Sequence, residues 1–335
     1  MKLGLRLPQT GINQAKKENI IYIAEKSDIA GFHSLWVLER LIWPINPQNP
    51  YPGSKDGKFP HDWQYIFDPI ETLTFVASKT KRIKLGTSVV DMLFHNPLIL
   101  SKRFATLDIL SDGRVIAGLG IGWARDEYQV SGIPFKNRGD RADEYLQLLK
   151  KIWTNDIVGF GGKYHSVPPS KIGPKPLQKP RIPIYLGGYS ERTFARIANH
   201  ANGWICTVRD SLRQTKSNIE MIRKECLKVN RDPDEIEIAA IVYPNIEGLS
   251  SDADDDDDDD DYIESTAEPK GTWQKQQEKN SRHLLNGNLE QIADDLRQIG
   301  EIGVDLAILN YNRSPIGNRS DRIIDVTRQL DKHVK

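Results

Sequence analysis

Two cysteines, three methionines and seven histidines in 335 residues leave little material for several kinds of chemistry. Cys206 falls in an expected strand and Cys226 in an expected helix, so a disulfide framework is not expected and a reducing cytoplasm fits. His33, His61, His95, His165, His200, His283 and His333 are scattered singly, without the clustered His and carboxylate ligands of a metal hydrolase, and no metal is expected. A serine nucleophile lacks its Gly-x-Ser-x-Gly elbow. No apolar run approaches about 18 residues, and Met1–Pro8 is too short and interrupted for a signal peptide, so no membrane association is expected. Net charge is also missing, but only formally. Asp252 and the run Asp254–Asp261 supply nine of the 46 acids; against 46 bases, the remaining 37 leave the body at +9. That suits an anionic small ligand, whereas no basic cluster interleaved with aromatics argues for nucleic acid.

What the chain has in quantity is alternation. Strand-like and helix-like segments succeed one another throughout, the pattern of a parallel α/β fold. Strands are expected at Lys2–Leu7, Ser34–Leu38, Arg82–Val90, Val115–Trp123, Ile182–Leu186, Gly203–Val208, Glu235–Tyr243 and Gly303–Leu309, each followed by a helix. Eight such units make a (β/α)8 barrel of roughly 250 residues with the active face at the C-terminal strand ends. A single domain over residues 1–335 accounts for the length, with insertions after strands 2, 4 and 7. The first, 39–67, carries Trp43, Tyr51, Phe59, Trp63, Tyr65 and Phe67; a disordered segment is poor in aromatics, so this reads as a lid or wall over a pocket. Asn155–Pro180 is rich in Gly and Pro. The last, 245–286, holds eight consecutive Asp, which repel one another and read as a solvated loop.

Several start and stop signals are local and strong. Asp68-Pro69 offers a cap and a first-turn proline, Asn288-Leu289-Glu290-Gln291 a capping box, and Gly31 a helix stop. Gly86, Gly118, Gly120 and Gly122 fall on two neighbouring strand ends. A planar cofactor lying against bare backbone explains the four together, and tight packing at a barrel mouth explains each singly. Gly187-Gly188-Tyr189-Ser190 opens a helix, where backbone N–H groups and a capping hydroxyl make a phosphate seat. Glu39, Arg40, Ser88, Asp91 and Gly120–Glu127 complete the candidates at the active face, with His95 beyond strand three.

The blocks Gly31–Val37, Leu85–Val89, Ala105–Arg114, Gly118–Trp123, Arg138–Arg141 and Ile184–Gly188 resemble, in order and spacing, the signature blocks of the bacterial-luciferase-like flavin oxidoreductases from Met1 to about Tyr243. The long aromatic loop and the Gly122-Trp123 block resemble the coenzyme F420-dependent branch. The resemblance implies a (β/α)8 barrel, usually a homodimer, holding F420 or alternatively FMN. It places a non-prolyl cis peptide at Ser88–Val89, the ring on Gly86, Thr87, Ser88, Val89, Gly120 and Gly122, and the phosphate on Gly187, Gly188, Tyr189 and Ser190. The substrate pocket falls to Trp43, Trp63 and Trp123. One departure stands out: the family's Asp-His pair after strand two is here Glu39-Arg40, so Glu39 or His95 is expected to replace the imidazole that handles the substrate proton. The expected activity is hydride transfer between F420 and a small organic substrate. FMN-dependent monooxygenation is the alternative, and a flavin carrier or sensor is the reading from another class.

Overall fold

The computed structural model describes residues 1–54, 56–208, 211–247, 282–312, 314 and 316–334. Its strands are β1 (Lys2–Arg6), β2 (Ser34–Val37), β3 (Lys84–Thr87), β4 (Val90–Asp91), β5 (Val115–Gly120), β6 (Ile157–Gly161), β7 (Ser166–Lys171), β8 (Ile184–Gly187), β9 (Gly203–Thr207), β10 (Glu237–Val242), β11 (Asn245–Ile246), β12 (Asn286–Gly287) and β13 (Leu306–Leu309). Eight of them pair in parallel in the order β3-β2-β1-β13-β10-β9-β8-β5, and a β3–β5 pairing closes the ring. This is the (β/α)8 barrel expected from the alternation. Around it run α1 (Lys17–Ala30), α2 (Pro69–Ala77), α3 (Pro97–Leu110), α4 (Arg125–Val130), α5 (Arg138–Thr154), α6 (Glu191–His200), α7 (Leu212–Lys228), α8 (Leu289–Glu301) and α9 (Ser320–Val334). Among the described residues no helix is long and apolar enough to cross a membrane.

The helix boundaries follow from side chains that satisfy otherwise orphaned amides. Asp68 accepts from the Ile70 amide at 2.9 Å, and Asn96 from the Leu98 amide at 2.9 Å, each followed by proline at the first helical position. Asn288 and Gln291 form the reciprocal box at α8. Gly31 ends α1 at φ 78°, a conformation that glycine adopts without a Cβ clash.

Alternation along each strand sorts residues into two cores. Leu3, Leu5, Leu35, Val37 and Leu85 face the helices, while Trp36, Ile116, Tyr185, Ile205, Ala239, Ile241, Leu306 and Ile308 fill the barrel. Trp36 is the largest of these, and its indole N–H donates to Ser34 Oγ at 2.7 Å. It fits because Gly86 on the adjacent strand has no side chain: a Cβ there would lie 2.5 Å from the indole. Gly118 makes a similar allowance, since a Cβ would lie 1.7 Å from the Thr87 carbonyl oxygen. Gly120 gives way to the Asp91 carboxylate and the Val89 side chain, and Gly122, at φ +72°, to the Phe94 ring. At these four glycines the structure shows the tight packing that explains each singly. Each makes room for a neighbouring protein group.

The third expected strand is interrupted. β3 ends at Thr87, the Ser88–Val89 peptide is cis, and β4 resumes at Val90. The Gly- and Pro-rich insertion holds an antiparallel hairpin, β6 with β7, that was not expected. Glu144 of α5 anchors its turn by accepting from the amides of Lys163, Tyr164 and His165 at 2.6–2.8 Å. Of the acidic insertion expected over 245–286, residues 248–281 lie outside the described residues. Its two ends pair in parallel, β11 with β12. Both cysteines are buried free thiols.

Candidate active site

The C-terminal ends of β2, β4 and β5 bring together groups that are distant in sequence. Glu39 follows β2 and is buried, and its backbone N–H donates to the Val89 carbonyl at 3.2 Å. Its side chain works in two directions: Oε1 lies 2.7 Å from His95 Nε2, and Oε2 accepts the Asp91 amide at 2.8 Å. An ionised carboxylate only accepts, so this contact places the imidazole proton on Nε2 and leaves the Nδ1 lone pair for another partner. Nδ1 has no hydrogen bond among the described residues, and the imidazole is partly exposed. Burial lowers the His95 pKa, but the hydrogen bond and charge of Glu39 outweigh it and the net shift is upward. The two residues expected to replace the missing imidazole are thus one unit.

Arg40 lies beside this pair and is almost fully covered. Its Nη2 donates to Asp91 Oδ2 at 3.0 Å, and its Nη1 lies 3.0 Å from Glu127 Oε2 as an ion pair without hydrogen-bond alignment. Asp91 also accepts the Gly122 amide at 3.0 Å, and Glu127 the Leu41 amide at 2.9 Å. Burial pushes the Asp91 carboxyl up to about 7, against the pull of Arg40, with the charges of Glu127 and Glu39 adding to the rise. Burial raises Glu127 as well. Three carboxylates around one guanidinium explain the direction, because they cannot all ionise at low cost in a desolvated site.

The 39–67 loop is a pinned wall. On one side Gln48 and Asn49 bond to Asp126 and Arg125 of α4 at 3.0 and 2.9 Å; on the other, the Gly11 amide donates to the Asp62 and Tyr65 carbonyls, both at 2.8 Å. Trp63 and Trp123 meet across Arg40, whose guanidinium carbon lies 5.4 and 5.3 Å from their rings. Tyr51 and Phe59 join them, with Tyr51 5.0 Å from Trp63 and Phe59 5.2 Å from Trp123. Trp43 is held within the loop: its indole N–H donates to the Pro60 carbonyl at 3.0 Å and its ring meets His61 edge-on. The roles of Tyr51 and Phe59 beside the tryptophans require the folded loop and were not separable in the sequence.

The remaining candidates divide. Thr87 donates its hydroxyl to the Gly118 carbonyl at 2.6 Å and Ser88 its amide to Val37 at 2.7 Å, so both brace the barrel wall. Val89 is half-buried at the mouth. Gly187 lies beside it, and a Cβ there would reach within 3.3 Å of Val89 Cγ1. Gly188 adopts φ +126°, and Ser190 caps α6 by accepting the Thr193 amide at 3.2 Å. Tyr189 accepts the Thr207 amide at 2.7 Å, tying the turn to the end of β9.

Comparison with known proteins agrees with this fold. A family model described as luciferase-like monooxygenase matches residues 3–306. An uncharacterized protein of Mycobacterium tuberculosis is 36% identical over 189 residues, 56% of this chain and 67% of that protein. An F420-dependent glucose-6-phosphate dehydrogenase of Amycolatopsis mediterranei is 32% identical over 193 residues, 56% of this chain and 53% of the dehydrogenase. Among solved structures, the coenzyme F420-dependent tetrahydromethanopterin reductase of Methanopyrus kandleri superposes with TM-score 0.72 at 17% identity, covering 100% of this chain and 99% of that one. The long-chain alkane monooxygenase LadA gives 0.70 at 18%, covering 99% and 91%. At such identities the superpositions speak to fold, while the family model spans most of the chain. This chain belongs to the luciferase-like monooxygenase family and is an enzyme of its oxidoreductase type.

Proposed function

We propose that the protein is a coenzyme F420-dependent oxidoreductase that exchanges hydride with a small organic substrate, with the Glu39–His95 pair moving the substrate proton. The observation that carries this reading is the 2.7 Å contact between Glu39 and His95, which holds a basic nitrogen at the barrel mouth. A carrier or sensor has no use for such a pair. The F420-dependent relative from Amycolatopsis supports the choice of cofactor, although the match covers only about half of each chain.

The residues present fit a deazaflavin or flavin. The missing side chain of Gly187 keeps the Val89 face clear, a place for one face of a ring. The turn Gly188–Ser190 opens α6, whose first amides precede any intrahelical acceptor and favour a phosphate. Val89 and Gly187 would hold the ring, and Gly188, Tyr189, Ser190 and the first α6 amides the phosphate. Thr87, Ser88, Gly86, Gly120 and Gly122 support that surface from behind. When bound, the deazaflavin supplies the two-electron redox chemistry. The chain's own residues orient the substrate, exclude water with the pinned aromatic wall, and accept a proton at His95 Nδ1 while Glu39 holds Nε2–H.

The family model's own description favours a second reading, monooxygenation with FMN. Titrating the purified protein with F420 and with FMN, followed by fluorescence and absorbance, separates the two. Micromolar F420 binding and weaker FMN binding are expected; the reverse order would favour the monooxygenase, and binding of neither below the millimolar range would overturn both.

A further inference from the structure

Arg40 stands out because its guanidinium is shut away from a ligand, the Nη1 that makes no hydrogen bond included. Its side chain is 6% exposed. Its guanidinium carbon lies over both Trp63 and Trp123, Asp91 and Glu127 take the two ends of the guanidinium, and Nε donates to the Glu39 carbonyl at 2.9 Å. An arginine that recognises a substrate carboxylate or phosphate keeps a fork of donors free for it. Here the fork faces protein carboxylates. Those residues are in turn fastened: the Asp91 carboxylate accepts the Gly122 amide while the Asp91 amide donates to the Glu39 carboxylate, and Glu127 accepts the amide of Leu41 where the aromatic loop begins. Arg40 therefore joins the end of β2, the β4 segment, the turn before α4 and the loop.

Charge around the wall points the same way. Glu39, Asp91, Glu127 and Asp126 lie behind it with Arg40 and His95; of the further cations, Lys58 pairs with Asp56, Arg103 with Asp68 and Glu71, Arg125 stacks on Phe135, and Arg6 is itself engaged. A further anion brought against this surface would meet carboxylates, and the surface itself is made of Tyr51, Phe59, Trp63 and Trp123.

We propose that Arg40 is a positioning residue that seats this aromatic wall beside the Glu39–His95 pair, and that the part of the substrate resting there is uncharged and apolar: a cyclic or aryl alcohol or ketone, not a carboxylate or phosphate. The inference rests on the proposed oxidoreductase reading and narrows its substrate. It also separates this chain from a relative whose name specifies a sugar phosphate.

The test uses ligand-observed NMR on the full-length protein, with and without F420, comparing benzyl alcohol, benzoate and glucose 6-phosphate. Benzyl alcohol is expected to bind at least tenfold more tightly than either anion. Trp63→Ala should weaken that binding at least tenfold. Because Arg40→Met alone leaves two buried carboxylates unpaired, it is made together with Glu127→Gln, and Arg40→Lys supplies the conservative variant with partial rescue. With F420-loaded protein, the loss should fall on KM for benzyl alcohol while kcat stays within about threefold. Equal or tighter binding of either anion, no binding of benzyl alcohol, or variants that bind it like the wild type would overturn the proposal. F420 titration of the same samples reports separately on the cofactor reading.

Discussion

Replacing Glu39 with Gln changes one charge and almost no volume, yet it should reverse the imidazole beside it. The wild-type carboxylate accepts both the Asp91 amide at 2.8 Å and His95 Nε2–H at 2.7 Å. A Gln side chain has one acceptor and one donor. With its oxygen toward the Asp91 amide, its NH2 faces Nε2 and forces the proton onto Nδ1, so the mouth is offered a donor in place of a base. With the amide turned the other way, two donors face each other at Asp91. General-base assistance contributes about 10²–10⁴-fold, or roughly 3–5 kcal/mol in the barrier, and that is the expected loss in kcat/KM. Stability should change little, because a charge-assisted hydrogen bond worth about 1.5–3 kcal/mol becomes a neutral one worth about 1, while repulsion among Glu39, Asp91 and Glu127 is relieved. The pH profile supplies the second test. The upward shift of His95 rests chiefly on Glu39, so without that charge, burial, the largest remaining influence, prevails, and the rising limb of kcat/KM in the oxidative direction should move to lower pH. NMR titration of the His95 ring checks this without turnover. A Gln variant within threefold of wild-type activity, with His95 titrating where it did before, would refute the assignment.

Other outcomes follow from single contacts. Gly86→Ala should cost about 1–3 kcal/mol by thermal melting because its Cβ meets the Trp36 indole at 2.5 Å, and combination with Trp36→Phe should recover part of the loss. Gly188→Ala, at φ +126° and 3.1 Å from Thr193, should raise the Kd for F420 about tenfold or more with a folded circular-dichroism spectrum; unchanged affinity would remove the phosphate seat from this turn. His33 and His200 are held at about 4, each chiefly by burial. Their folded pKa values lie below the unfolded value, so the stability they support is present above about pH 6.5 and is lost as pH falls toward 4. Allowing for partial exposure, denaturant melts should show a fall of about 3 kcal/mol across that window, flattened in a His33→Gln/His200→Gln double variant. His95 has the opposite sign: its contribution is intact below about pH 6.5 and is lost as pH rises through its raised folded value.

The barrel was legible because its signals are local. Alternating apolar residues mark strands, and Asp68-Pro69 and Asn288 to Gln291 mark helix starts within a few positions of the amides they satisfy. The hairpin β6–β7 was hidden because Pro168 and Pro169 break the strand pattern of its second arm, and α4 has six residues, too few to show a period. At the site, sequence could name Glu39, Arg40, Asp91 and His95 as strand-end residues but not join them. Glu39 and His95 are 56 positions apart, and their meeting depends on the register of β2 against β3. The glycines show the same limit from the other side. Gly86 and Gly118 mark close approach correctly, but what approaches is settled by side chains from adjacent strands, which no single strand reveals.

The two-residue ladder of β11 and β12 holds Asn245 beside Asn286 and Ile246 beside Gly287, although forty positions of sequence separate the first pair. The path from the seventh barrel strand, β10, to its helix α8 is thereby held at both ends by the same four paired residues.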